Sequence, residues 1–324
     1  MSHEGGTKAV VAALTANLGI AVIKFGAYAL TGASSMLAEA IHSVADSGNQ
    51  VLLLVGARRA RRDATPEHPF GYARTRYYYA FMVAIVLFTV GGLFALYEAW
   101  HKFSDPHPID SWKWVPIAVL LIAIVLESFS LRTAVRESNK VRGALGWRRF
   151  IQRSKAPELP VVLLEDLGAL LGLFFALFGV SMTLITGDGR WDALGAGMIG
   201  LLLCAIAVVL GRETKSMLMG EAATPEDIDA IKAAFAAEGF EDLIHLRTLH
   251  LGPEDILVTA KVHAAPGATL AEVAAQTDRA EAAIRAAVPA VRLIFVEPDV
   301  RRPDAPPAVE TVADPAPGPV ADPS

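Results

Sequence analysis

Charge is scarce in this chain. Of 324 residues only 19% are Asp, Glu, Lys or Arg, while 53% are hydrophobic, and the mean hydropathy is +0.40. An ordinary soluble domain carries nearer a quarter charged residues, so a membrane is the expected solvent. A basic excess is also missing. The formal net charge is -5, which leaves no basic face for nucleic acid. Cysteine is almost absent: Cys204 stands alone, so there is no disulfide framework and no thiolate cluster for zinc. Its place in the apolar run Leu201–Leu210 marks it as a small buried hydrophobe. The stretch Met1–Lys8 lacks the basic region and cleavage site of a signal peptide, so the first apolar segment is expected to stay in the membrane.

What is present is a series of long apolar runs. A helix needs about 20 residues to cross a hydrocarbon core of roughly 30 Å. Candidate spans lie near 9–30, 35–57, 78–101, 112–132, 159–186 and 191–211, which predicts an all-α six-helix transmembrane domain over residues 1–215. The second and fifth runs are the less purely apolar ones, and polar residues inside a span are usually functional. Arg58, Arg59, Arg61, Arg62, Arg74 and Arg76 follow the second span, and Lys140, Arg142, Arg148, Arg149, Arg153 and Lys155 follow the fourth. The intervening outer loops are nearly free of basic residues, so the positive-inside rule puts both termini in the cytoplasm. A multi-pass protein of the bacterial inner (plasma) membrane is the expected setting.

After Lys215 the texture becomes that of a small soluble α+β domain, placed at 216–300. A helix at 224–238 opens on Thr224-Pro225-Glu226, strands alternate over 244–251 and 256–263 about a Gly252-Pro253 turn, a helix covers 269–287 and a strand 291–297. The tail 301–324, rich in Pro, Ala and Asp, cannot bury a core and is expected to be disordered.

The chemistry lies in the second and fifth spans. Glu39, His42, Asp46 and Asn49 follow one another at spacings of three, four and three, which puts them on one helical face. The fifth span carries Glu165 and Asp166 side by side. At 1.5 Å per residue, Asp46 lies about 16 Å in from Ser35 and Asp166 about 12 Å in from Glu158. In a core of roughly 30 Å both reach similar depth near the midplane. A lone carboxylate there is costly, and two facing carboxylates repel unless a cation or proton lies between them. Imidazole plus carboxylates suits zinc and related first-row divalent ions. The plainer alternative is that these groups pair with Lys24 or hydrogen-bond between helices, though one ammonium serves too many acids.

These residues resemble the cation diffusion facilitator family. The stretch Ser35–Gln50 is similar to its second-helix signature, His68–Arg74 to its loop signature, and Trp191-Asp192-Ala193 and Glu213–Leu218 to two further segments. The likeness runs from about residue 8 to 298 in order. The resemblance implies a dimeric, proton-coupled antiporter with six helices and a cytoplasmic domain of metallochaperone-like α-β-β-α-β fold. It implies four ligands to the transported ion, two from each of the second and fifth helices. His42 and Asp46 match the first pair and Asp166 one member of the second; the other member falls on Val162, with Glu165 beside it, as in the subgroup that includes a mitochondrial zinc exporter. Neighbours on a helix are about 100° apart, so Glu165 and Asp166 face only partly the same way. The metal set that the resemblance implies is His42, Asp46 and Asp166, with Glu165 as the fourth candidate; whether Glu165 turns inward is left open by the sequence.

The family's other metal sites look worn here. His68 is kept, but Tyr72 replaces the histidine four residues on. His263 fits a ligand position whose partners fall on Gln276 and Phe295, and His245 and His250 read as strand histidines. The C-terminal domain is expected to dimerise through packing. Lys24 is read as neutralising an acid such as Glu39, Glu127 as pairing with a cytoplasmic arginine, and Asp192 as an N-terminal helix cap facing outside. An intramembrane enzyme finds no motif. An exporter of organic cations would want an aromatic-lined cavity, and a purely structural dimer leaves the intramembrane acids unexplained. The expected partners are divalent metal ions, protons, the lipid bilayer and a second copy of the chain. Zn2+ is the expected substrate, with Co2+, Fe2+, Mn2+, Cd2+ and Ni2+ as other candidates, and no cofactor is expected.

Overall fold

The computed structural model describes residues 3–107, 109, 112–240 and 243–299; the expected disordered tail at 301–324 lies outside them. The chain divides into a unit over Met1–Leu218 and a unit over Met219–Ser324.

The first unit is helical. Helix α1 covers His3–Thr31 and α2 Ser34–Arg59. Helix α3 (Thr75–Val86) runs through a π-helical segment, Leu87–Leu93, into α4 (Phe94–Ser104) without a break. Then come α5 (Trp114–Arg142), the short α6 (Trp147–Arg153), α7 (Glu158–Thr186) and α8 (Arg190–Met219). Among the described residues, four helical stretches are long and apolar enough to cross a membrane: Thr75–Ser104, Trp114–Arg142, Glu158–Thr186 and Arg190–Met219. In α1 the stretch Asn17–Thr31 is apolar, and α2 is diluted by the polar face that carries Glu39, His42, Asp46 and Asn49. Helix α5 runs ten residues beyond the expected end at 132, because Arg132, Arg136 and Lys140 continue the helix instead of opening a loop.

Helix contacts follow from side-chain size. Val83 and Leu87, Leu120, Leu173 and Val180, Ile199 and Leu203 build one apolar core from α3, the π segment, α5, α7 and α8. The π segment carries Gly92, where an added Cβ would stand 2.5 Å from the Cys204 sulfur of α8. Only hydrogen at that position allows the two helices to meet. On the outer side of α5, Leu121, Ile122, Val125 and Phe129 are exposed, as suits a helix whose solvent is lipid.

The second unit holds α9 (Pro225–Ala237), β1 (Leu243–Gly252), β2 (Asp255–His263), α10 (Leu270–Ala287) and β3 (Val291–Asp299). The sheet order is β1-β2-β3, with β1–β2 antiparallel and β2–β3 parallel. A parallel pair needs a crossover, and α10 supplies it. Ile256, Val258, Ala260 and Val262 alternate inward from β2 onto Ile231 and Phe235 of α9 and Ile284 of α10. Thr269 caps α10 in a box with Glu272, each side chain meeting the other's backbone amide.

Candidate metal site in the helical unit

Helix α2 packs on α7, and most of the polar face of α2 is buried. Glu39, His42, Asp46 and Asn49 are all inaccessible or nearly so. His42 Nδ1 stands 3.3 Å from Asp46 Oδ1, one turn along the same helix, but not aligned as a hydrogen bond. Both ring nitrogens of His42 and Oδ1 of Asp46 lack a hydrogen-bond partner among the described residues. Buried polar atoms are nearly always satisfied by protein, water or an ion. Three orphaned acceptor or donor positions within one turn form a donor set suited to a divalent cation: a neutral imidazole nitrogen and a carboxylate oxygen.

The two acids of α7 are both buried. Their 100° separation sends them to different neighbours. Glu165 faces α2, where Asn49 Nδ2 donates to its Oε1 at 2.6 Å. Asp166 faces α5, where Ser130 Oγ donates to its Oδ2 at 2.9 Å. Glu165, Glu127 and Asp166 all lie close enough for their charges to bear on Asp46. The structure thus brings His42 and Asp46 together and holds Glu165 and Asp166 on neutral donors beside them. Among the described residues no group of three or more His, Cys, Asp or Glu is drawn together tightly enough to hold an ion. Val162, at the position of the missing ligand, is half-buried.

Lys24 of α1 neutralises Glu39, as expected, at 2.9 Å. Two other expectations are corrected. Glu127 is buried rather than paired with a cytoplasmic arginine, and the charges that bear on it are those of Lys24, Asp166 and Glu39. A helix turned by its apolar face toward lipid carries the acid within its apolar stretch inward. Asp192 does not cap its own helix. Its carboxylate accepts from the amides of Ser34 at 2.6 Å and Ser35 at 3.2 Å, and from the Ser35 hydroxyl, and so caps α2 from α8. A cap from another chain segment leaves no local signature.

Ser130 was missed by sequence reasoning. Its signal was its place three residues after Glu127, on the same face of α5. Two other histidines meet residues near them in sequence. His68 stacks on Tyr72 with ring centroids 4.5 Å apart. In the C-terminal unit, His250 is buried with Nδ1 3.1 Å from the Gly252 carbonyl. Gln276, one position of the implied C-terminal site, donates to the Glu238 carbonyl, and Phe295, the other, is exposed.

Comparison with known proteins gives this arrangement its context. Residues 10–219 match the family described as the cation efflux transmembrane domain. The mitochondrial proton-coupled zinc antiporter SLC30A9 of Xenopus laevis is 29% identical over 266 residues, 81% of this chain and 47% of that protein. Its human counterpart is 31% identical over 230 residues, 70% of this chain and 40% of that one. The zinc transporter ZitB of Escherichia coli is 27% identical over 211 residues, 64% of this chain and 61% of ZitB. The chain therefore spans about half or less of the length of the SLC30A9 proteins. With the family model matching well over half of the chain, this is an integral membrane protein of the cation efflux (cation diffusion facilitator) family, similar to its SLC30A9 subgroup.

Proposed function

We propose that the chain exports zinc in exchange for protons, with the ion bound between α2 and α7 by His42, Asp46, Asp166 and Glu165. The observation that carries this reading is the buried pair His42 and Asp46, whose ring nitrogens and Oδ1 lack a hydrogen-bond partner among the described residues. No described residue bonds these atoms in the structure, and a cation between α2 and α7 would satisfy them. The names of relatives, a proton-coupled zinc antiporter and a zinc transporter, support the choice of ion and of coupling. The family is one of transporters, so an intramembrane enzyme is set aside.

The mechanism follows from what the residues can exchange. Glu165 and Asp166 rest on Asn49 and Ser130, neutral donors that a carboxylate can leave for a divalent ion without stranding a charge. With His42 and Asp46 they complete a tetrahedral shell. Imidazole and carboxylates must be deprotonated to bind, so metal arriving on one side of the membrane releases protons and protons arriving on the other release metal. In this reading α1 and α2 join the four apolar helical stretches to make six spans, with both termini cytoplasmic. The C-terminal unit, a metallochaperone-like α-β-β-α-β module, joins two copies of the chain. The SLC30A9 relatives carry a mitochondrial name and lend no support to the bacterial inner membrane expected from the sequence.

Reconstitution in proteoliposomes tests the proposal. Zinc should move when a proton gradient is imposed and outpace Co2+, Fe2+, Mn2+, Cd2+ and Ni2+. Zinc flux no greater than that of protein-free vesicles would overturn it.

A further inference from the structure

A buried ion pair lies one helical turn from His42. Lys24 of α1 and Glu39 of α2 are 1% and 0% exposed and stand 2.9 Å apart. The same ammonium donates to Ser43 Oγ, also at 2.9 Å. Only one oxygen of Glu39 is engaged in this way. Its Oε1 has no hydrogen-bond partner among the described residues. That oxygen points at α7, where a Cβ added to Gly172 would stand 2.6 Å from it. Glu39 therefore carries an unsatisfied, fully buried oxygen in the seam between α2 and α7, three residues before His42 and on the same helical face.

We propose that Lys24 is a specificity-determining residue of the transport site: by engaging Glu39 it keeps a further carboxylate out of the ligand set that begins with His42 and Asp46. The inference rests on the reading that the ion binds between α2 and α7. Its logic is ligand hardness and charge. A site of one imidazole and three carboxylates suits a four-coordinate zinc ion. Release of Glu39 would add a hard oxygen ligand and one negative charge. Ions that prefer six oxygen ligands, such as Mn2+, gain more from that addition than zinc does. The ammonium also repels any divalent ion directly, and engaging it with Glu39 limits that repulsion. Gly172 belongs to the same device, because a side chain there would displace the Glu39 carboxylate.

The test is calorimetric titration of the purified full-length chain with Zn2+ and with Mn2+, for the wild type, Lys24→Met and Lys24→Met/Glu39→Gln. In Lys24→Met the affinity for Mn2+ relative to Zn2+ should rise by about 10-fold or more, the scale of one added charged ligand. The double variant removes both charges and should return the ratio to that of the wild type. A pair with a structural role alone would change the stability of the single variant and leave the ratio where it was. Should Lys24→Met fail to fold, Lys24→Ala serves in its place, since it likewise releases Glu39 and leaves room for water beside Ser43. An unchanged ratio in the folded single variant, or an equal shift in the double variant, would overturn the inference while leaving zinc transport intact. A wild-type chain that binds neither ion would instead overturn the transport site itself.

Discussion

Asn49 of α2 donates a 2.6 Å hydrogen bond to Glu165 of α7, and this bond joins the two helices at the level of the buried acids. It holds Glu165 facing His42 and Asp46 rather than lipid. If Glu165 leaves Asn49 to bind the ion, Glu165→Gln should weaken zinc affinity by about 10-fold, near 1.4 kcal/mol. Calorimetry on purified protein reads this directly, and unchanged affinity would remove Glu165 from the ligand set. Val162→His, one turn before Asp166, should offer a competing nitrogen ligand and raise the preference for zinc over manganese.

Proton coupling makes a separate prediction. Zinc efflux should slow when the proton gradient across proteoliposomes is collapsed with an ionophore, because His42 and the acids must exchange protons for metal. Flux indifferent to the gradient would mark a uniporter.

The cap that Asp192 places on α2 is expected to matter for stability. Asp192→Ala strands the buried amides of Ser34 and Ser35 and should destabilise the helical unit by about 1–2 kcal/mol. Thermal unfolding in detergent measures the loss; an unchanged midpoint would mean that water replaces the carboxylate.

How much of this was legible in the sequence depends on how local each signal is. The polar face of α2 could be read because its spacings of three and four repeat the helical turn. The long helices could be read as apolar runs, and the C-terminal strands as alternation. The failures are tertiary. Glu127 turned inward because lipid claims the other face of α5, and Asp192 reached across to α2 because the end of α2 lacks a side-chain cap of its own. Helix α6 was hidden among basic residues, which read equally well as loop. Whether Glu165 and Asp166 share a neighbour depended on which helices flank α7, and that is a property of packing.

The C-terminal unit carries a pH signature. Hydrogen bonds from the Thr269 amide and hydroxyl hold the Glu272 carboxyl below its ordinary 4.5. A depressed folded value stabilises the folded state above the ordinary carboxylate range and is lost as pH falls through that range. Amide exchange in the first turn of α10 should therefore accelerate below about pH 4.5 beyond the intrinsic trend, and Glu272→Gln should flatten the response. A wild-type profile in that variant would exclude the capping box as its cause.

The central claim is that a divalent ion crosses the membrane between α2 and α7, held by acids from both. Zinc flux into proteoliposomes, compared for the wild type, Asp46→Ala and Asp166→Ala at matched folding and reconstitution, tests it most directly. The account predicts that each substitution abolishes flux while the protein remains folded, since each removes a charge the ion needs at mid-membrane. Wild-type flux in either variant would contradict it.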